Sequence, residues 1–308
     1  MTYHIPVLLR EVIEGLRITG NGKYLDLTMG GGGHAMEIVK HLDLKNGLYI
    51  GVDQDADAVS HVAGVFSGYD NVKIFRDNFS SDILWHQLGE FGGFDGILMD
   101  LGVSSHQLDT AERGFSFRED APLDMRMSDM MHVTAEHIVN RTPEKELANI
   151  IYNYGEERRS RQIARKICAN RPINTTKQLA EIIGGCFSAK ERHTMGIHPA
   201  TRTFQALRIA VNGELDALEK GLKQAIEALN KEGRLAVISY HSLEDRIVKQ
   251  LFKTESTDCL CDVRMPVCTC GHKAKVRLVH KKIIIPAQDE IDSNPRSRSA
   301  KMRIVERL

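Results

Sequence analysis

The run Asp26-Leu27-Thr28-Met29-Gly30-Gly31-Gly32-Gly33-His34-Ala35 sets a carboxylate before a glycine turn, and a second carboxylate, Asp53, follows Gly33 by twenty positions. A G-x-G-x-x-A match begins at Gly30. Glycines in such a turn let the backbone approach a ligand closely, and an acid at the end of the next strand can accept the hydroxyl protons of a ribose. Dinucleotides and S-adenosylmethionine share this arrangement. Asp26 favours the second, because a carboxylate beside the turn suits the ammonium of a methionine moiety and repels a pyrophosphate. S-adenosylmethionine is therefore the expected cofactor. Asp77-Asn78-Phe79 stands where an adenine edge would lie, with Phe79 either covering its ring or simply packing in the core.

Asp100-Leu101-Gly102-Val103-Ser104-Ser105 leaves a later apolar run at the edge where open α/β folds bind ligands. An exocyclic amine such as cytosine N4 is a poor nucleophile, since its lone pair is delocalised into the ring. A nearby acceptor can hydrogen-bond its N–H and favour attack, and Asp100 is the candidate for that role, with a loop-closing or cofactor-binding role as the alternative. The prolines and aromatic of the Asp/Asn-Pro-Pro-aromatic motif of common amino-methyltransferases are absent here. An aromatic clamp for the base must come from elsewhere; Tyr240 and His241 in Ser239-Tyr240-His241-Ser242 leave a later strand where they could face the same edge, with a hydrogen-bonded loop histidine the favoured reading of His241.

These residues need a strand, turn and helix scaffold. Lys23 to Leu27, Gly47 to Val52, Val72 to Phe75 and Phe94 to Met99 read as strands separated by helical spacing, which implies parallel pairing with right-handed crossovers. After Asp109 that rhythm breaks. Helical spacing then covers 134–139, 143–153, 156–169, 175–187 and 201–211, with Pro143 placed for a helix start and Thr175 or Thr176 for a cap. A helix over Leu215 to Leu229 closed by Gly233, a strand over Arg234 to Tyr240 and a hairpin from Val276 to Ile285 and Ala300 to Glu306 complete the chain. The expected fold is α/β, a Rossmann-like class I methyltransferase with a doubly wound, mostly parallel sheet. Its methyltransferase domain spans 1–112 and 205–308, interrupted by a helical domain over 113–204.

With 308 residues, 41 Lys and Arg and 41 Asp and Glu, the chain is formally neutral, but the charge is uneven. Residues 140–209 hold 13 basic against 6 acidic side chains, and 271–308 hold 10 against 4. Two basic stretches on an otherwise acidic chain suit a phosphate-rich partner, through Arg202 in His198 to Phe204 and through Arg296, Arg298, Lys301 and Arg303; internal pairing of Arg202 is the alternative. No run reaches the apolar length of a membrane span and no signal peptide pattern opens the chain, so a cytoplasmic location is expected. Four of the six cysteines form Cys259-x-Cys261-x₆-Cys268-x-Cys270. Four thiolates could bind zinc tetrahedrally, although a one-residue gap is tighter than the usual spacing. No metal is assigned to the chemical site.

The residues by themselves leave open a nicotinamide-dependent oxidoreductase, a non-catalytic RNA-binding protein, and methylation of another acceptor. The chain resembles the bacterial small-subunit ribosomal RNA cytosine-N4 methyltransferases of the MraW (RsmH) type. The likeness rests on His4-Ile5-Pro6-Val7-Leu8, Asp26 to His34, Asp100 to Leu108 (DLGVSSHQL), His198 to Leu207 (HPATRTFQAL), Ser239 to Arg246 (SYHSLEDR) and Arg296 to Lys301 (RSRSAK). It implies S-adenosylmethionine binding at Gly32, Gly33, His34, Asp53, Phe79, Asp100 and Gln107. It also implies N4-methylation of a cytidine in the decoding region of small-subunit ribosomal RNA within the ribosomal subunit, with the helical insertion helping to recognise RNA. His106 stands where many relatives carry Pro.

Overall fold

The computed structural model describes residues 6–262, 265 and 267–308, so His4 and Ile5 of the first family segment lie outside the described residues. The chain divides into two compact units, Met1–Gly102 with Leu215–Leu308, and Val103–Glu214.

In chain order the first unit contains α1 (Leu9–Leu16), β1 (Lys23–Asp26), α2 (Gly33–Lys40), β2 (Leu48–Asp53), α3 (Ala56–Val65), β3 (Val72–Arg76), α4 (Asp82–Gly89) and β4 (Phe94–Asp100). The second holds α5 (Ser105–Asp109), α6 (Ala135–Arg141), α7 (Glu144–Gly155), α8 (Ser160–Ala169), α9 (Thr176–Gly184), α10 (Ala189–Thr194) and α11 (Thr201–Asn212). The first unit resumes with α12 (Glu214–Glu227), β5 (Leu229–Ser239), α13 (Ser242–Glu255), β6 (Val276–Leu278), α14 (Gln288–Ser293) and β7 (Lys301–Arg307).

The seven strands form one sheet in the order β3-β2-β1-β4-β5-β7-β6. The first five run parallel, while β7 pairs antiparallel with both β5 and β6. Alternation along each strand sends side chains to two cores. Leu25, Ile97, Met99, Leu235 and Val237 join Leu84, Leu88, Leu222 and Phe252 on one face. Tyr24, Leu98, Ala236 and Ile238 join Leu16, Ile38 and Val62 on the other. Burial on both faces is why the strands read as apolar runs rather than alternating ones. Ser81 caps α4 by accepting from Leu84 N, and Asp55 caps α3 by accepting from Asp57 N.

Gly233 does not close a helix. The helix ends at Glu227, and Gly233 lies inside β5 where the register against β4 shifts between Phe94 and Gly96. A Cβ there would stand 2.6 Å from Phe94 O, so the bulged strand needs glycine.

The second unit is helical and has its own core, with Leu147 and Ile151 of α7, Ile163 and Ile167 of α8, Leu179 and Ile183 of α9, and Phe204 and Leu207 of α11. It is wider than the expected 113–204. Val211 of α11 belongs to the same core, and the buried Asn212 accepts from Met127 N (2.8 Å) and donates to Met125 O (2.8 Å), so a border at 204 would cut through a packed helix. Of the two cap candidates, Thr175 forms the capping box with Gln178, while Thr176 donates its hydroxyl to Glu119 O. The helix expected from 156 starts at Ser160 instead, because Glu156 takes a left-handed conformation (φ 49) and ends α7.

Candidate active site

The strand order reverses between β1 and β4, and their carboxyl ends form the crevice where doubly wound sheets bind ligands. Asp26 closes β1, Asp53 closes β2 and Asp100 closes β4. Gly30 and Gly32 both have positive φ (51 and 80), so the chain turns from β1 into α2 through conformations that disfavour a side chain. Gly33 opens α2 against Pro6, which a Cβ would approach to 3.2 Å.

Asp100 is partly exposed. Its backbone N donates to Thr28 Oγ1 (2.5 Å), and its Oδ1 accepts from the Tyr240 hydroxyl at 2.7 Å, leaving Oδ2 3.8 Å from His34 Nδ1. The side chain keeps 17% of its surface exposed. Burial pushes its carboxyl up to about 7; the Tyr240 hydroxyl opposes that rise and the charge of Glu244 adds to it. His34 is buried with Nε2 2.9 Å from Val7 O. Burial also lowers its pKa, so a neutral ring donating through Nε2 turns the lone pair of Nδ1 towards Asp100.

Asp26 departs from the sequence expectation. It is 1% exposed, and its oxygens accept from Thr28 N (3.1 Å) and the Tyr49 hydroxyl (3.1 Å), so it contributes charge beneath the turn rather than contact with a ligand. Burial raises its carboxyl to about 6. Asp53 likewise rises to about 6 through burial, while its oxygens accept from Gly30 N (2.7 Å) and Asp55 N (2.9 Å). Gln54 N is a third backbone donor to this carboxylate, and the partly exposed side chain keeps acceptor capacity for a ribose. All three carboxyls thus hold protons more tightly than in water, a condition that a cationic ligand would relieve and an anionic one would worsen.

Phe79 follows β3 and is half-buried. Its ring lies against Gly221 of α12, where a Cβ would stand 2.5 Å from Phe79 Cδ2, and its carbonyl accepts from Trp85 Nε1. Gln107 belongs to the second unit, where its side chain accepts from Ser104 N (3.0 Å) in the capping box that starts α5. Asp26, His34, Asp53 and Asp100 therefore gather at the sheet edge of the first unit, and Gln107 is placed by a different unit.

Tyr240 and His241 are each held by a polar partner, and His241 is the hydrogen-bonded loop histidine that its spacing favours. Tyr240 spends its hydroxyl on Asp100, and His241 caps α13 with Nε2 3.0 Å from Glu244 Oε1. Both border a cavity of about 320 Å³ whose wall includes Ile285, Pro286, Arg298 and Lys301. Arg303 is bound to Asp245 (2.8 Å), with Lys301 3.9 Å from the same carboxylate, so part of the terminal basic run serves the fold; Arg298 is exposed at the cavity. Arg202 lies 3.9 Å from Glu157, the internal pairing foreseen as the alternative to phosphate contact. Sequence reasoning missed Thr28 and Tyr49. Their only signal was a polar group flanking Asp26 at the end of one strand and within the next.

The sequence family described as the MraW methylase family matches residues 1–308. The chain is 46% identical to a ribosomal RNA small subunit methyltransferase H of Clostridioides difficile (strain 630), with 99% of each chain covered. It is 48% identical to the protein of that name from Heliobacterium modesticaldum, again over 99% of each, and 47% identical to that of Brevibacillus brevis, over 99% of this chain and 98% of the relative.

Proposed function

The chain belongs to the MraW methylase family and is a methyltransferase, and from that premise we propose that it uses S-adenosylmethionine to methylate N4 of a cytidine in the decoding region of small-subunit ribosomal RNA. The observation that carries this reading is Asp100, a carboxylate at the sheet's switch point, fixed by Thr28 and Tyr240 and still open to a ligand. When bound, the cofactor supplies an electrophilic methyl carbon on a cationic sulfur. Asp53 would hold ribose hydroxyls, Phe79 would lie along the adenine, and the turn at Gly32, Gly33 and His34 would admit the methionine end. Gln107 is assigned to the cofactor by family likeness. Asp100 would accept the N–H of the acceptor amine, orient its lone pair for in-line attack, and take up the amine proton or pass it to water, with the cofactor's C–S bond exchanged for the new N–C bond. The cavity beside Tyr240, with Arg298 and Lys301 on its wall, suits a nucleotide with its phosphate. The helical unit, 103–214, recognises the RNA, in the cytoplasm where the subunit is assembled.

The test is transfer of labelled methyl to small ribosomal subunits that lack the modification, with digestion to nucleosides. Labelled N4-methylcytidine is expected, and Asp100→Asn should lower its rate by about 100-fold or more. Label in another nucleoside, or an unimpaired Asp100→Asn enzyme, refutes the reading.

A further inference from the structure

Between α13 and β6 the large apolar side chains among the described residues are exposed. Leu260, Met265 and Val267 are 50%, 47% and 70% exposed. The base of this segment is clamped, by Lys275 N donating to Glu255 O (2.8 Å), by Ala274 N donating to Asp258 Oδ1 (3.3 Å) and by His272 Nε2 lying 3.0 Å from Thr254 O. Beyond that base lies a set of four cysteines, Cys259, Cys261, Cys268 and Cys270, whose sulfurs all lie within 4.8 Å of one another.

The Sγ–Sγ distances are 3.4 Å for Cys259–Cys268, 3.6 Å for Cys268–Cys270 and 3.8 Å for Cys259–Cys270. Disulfide sulfurs stand about 2.0 Å apart, so these are not bonded pairs. A tetrahedron of thiolates about 2.3 Å from a central zinc ion has edges of about 3.8 Å, close to the spacing seen. The one-residue gap in each pair is compatible with this, because side chains at i and i+2 of an extended segment share a face and can reach one ion. The two arms are also wired reciprocally. Leu260, between the first pair, donates its backbone N–H to Cys270 Sγ (3.3 Å), and Thr269, between the second pair, donates its own to Cys261 Sγ (3.4 Å). Such N–H donors stabilise thiolate charge and orient metal ligands.

We propose that Cys259, Cys261, Cys268 and Cys270 bind one zinc ion that ties the two cysteine pairs together ahead of β6. Four sulfur ligands leave no open position, so the ion is structural and takes no part in methyl transfer.

The test uses the full-length chain, loaded with zinc under reducing conditions and freed of excess by gel filtration. One zinc per chain is expected, with four of the six thiols reacting only after the metal is withdrawn. Cobalt(II) in its place should give the absorption of a tetrahedral four-thiolate site. The double variant Cys261→Ser, Cys270→Ser should lose the metal while keeping the helical circular dichroism of the parent, and Cys168→Ser should retain it. Failure of the parent chain to keep a stoichiometric ion, with its thiols either freely reactive or paired as disulfides, overturns the proposal. So does a double variant that still holds a full equivalent.

Discussion

Replacing Tyr240 with Phe removes one hydroxyl and leaves the ring, which makes it a clean probe of how Asp100 is tuned. The hydroxyl donates to Asp100 Oδ1 at 2.7 Å and works against the burial that brings this carboxyl to about 7. A hydrogen bond to a charged group is worth about 1.5–3 kcal/mol, and one pKa unit corresponds to about 1.4 kcal/mol, so its loss raises the Asp100 pKa by roughly 1–2 units. Near neutral pH, where about half of the parent's Asp100 is ionised, the ionised fraction then falls roughly 5- to 50-fold. If Asp100 acts as the acceptor for the amine N–H, kcat/KM falls by the same factor and recovers as the pH is raised, because the variant needs only a higher pH to charge the same group. The assay is methyl transfer followed from about pH 6 to about pH 9 for both proteins. A loss of equal size at every pH would mean that Tyr240 only shapes the site, and no loss at all would remove the hydrogen bond from the mechanism.

Because Asp100, Asp26 and Asp53 sit at about 7, 6 and 6, they are partly protonated near pH 6.5 in the free protein, and a cationic cofactor should drive those protons off. Titration calorimetry in buffers of different ionisation enthalpy should register release of up to about one proton per cofactor near pH 6.5, with affinity increasing as pH rises; proton uptake would contradict the assigned ligand charge. Gly221→Ala puts a methyl group against the Phe79 ring, at an overpacking cost of about 1–3 kcal/mol. It should weaken cofactor binding without altering proton release, as measured in the same titration, and unchanged affinity would detach Phe79 from the adenine.

The parallel half of the sheet was legible because strands buried on both faces are apolar along their whole length and are separated by helical spacing. The glycine turn was legible because few residues tolerate the positive φ found at Gly30 and Gly32. What could not be read were relations set by distant residues. Asp100 and Tyr240 are 140 positions apart, and nothing local to Ser239-Tyr240-His241 says that the hydroxyl is committed to a carboxylate rather than the ring to a base. Asp26 looked available because its sequence neighbours are small or apolar; its partner Tyr49 comes from the adjacent strand, set by the β1–β2 register. Helical periodicity identified α11 but could not say which core it joins, and Asn212, which ties its end to Met125 and Met127, is the residue that decides.

The position of Asp100 in the strand explains how one carboxylate can meet the geometric demands of methyl transfer. Its own N–H is fixed by Thr28 from the β1 side, and Leu101 N donates to Ile238 O of β5 at 3.0 Å, so β4 is held from both flanks up to the acid. Only then does Gly102, with φ 94, release the chain into the second unit. An acceptor carried on a strand end clamped by two neighbours is held more rigidly than one carried on the loop that follows. Tyr240, one residue beyond Ser239 at the end of β5, joins Asp100 from the adjacent strand, so both partners of the tuned pair are positioned by sheet register. Substituting Thr28 should then disturb the orientation of Asp100 without changing its charge, whereas Tyr240→Phe changes its charge and leaves the strand in place.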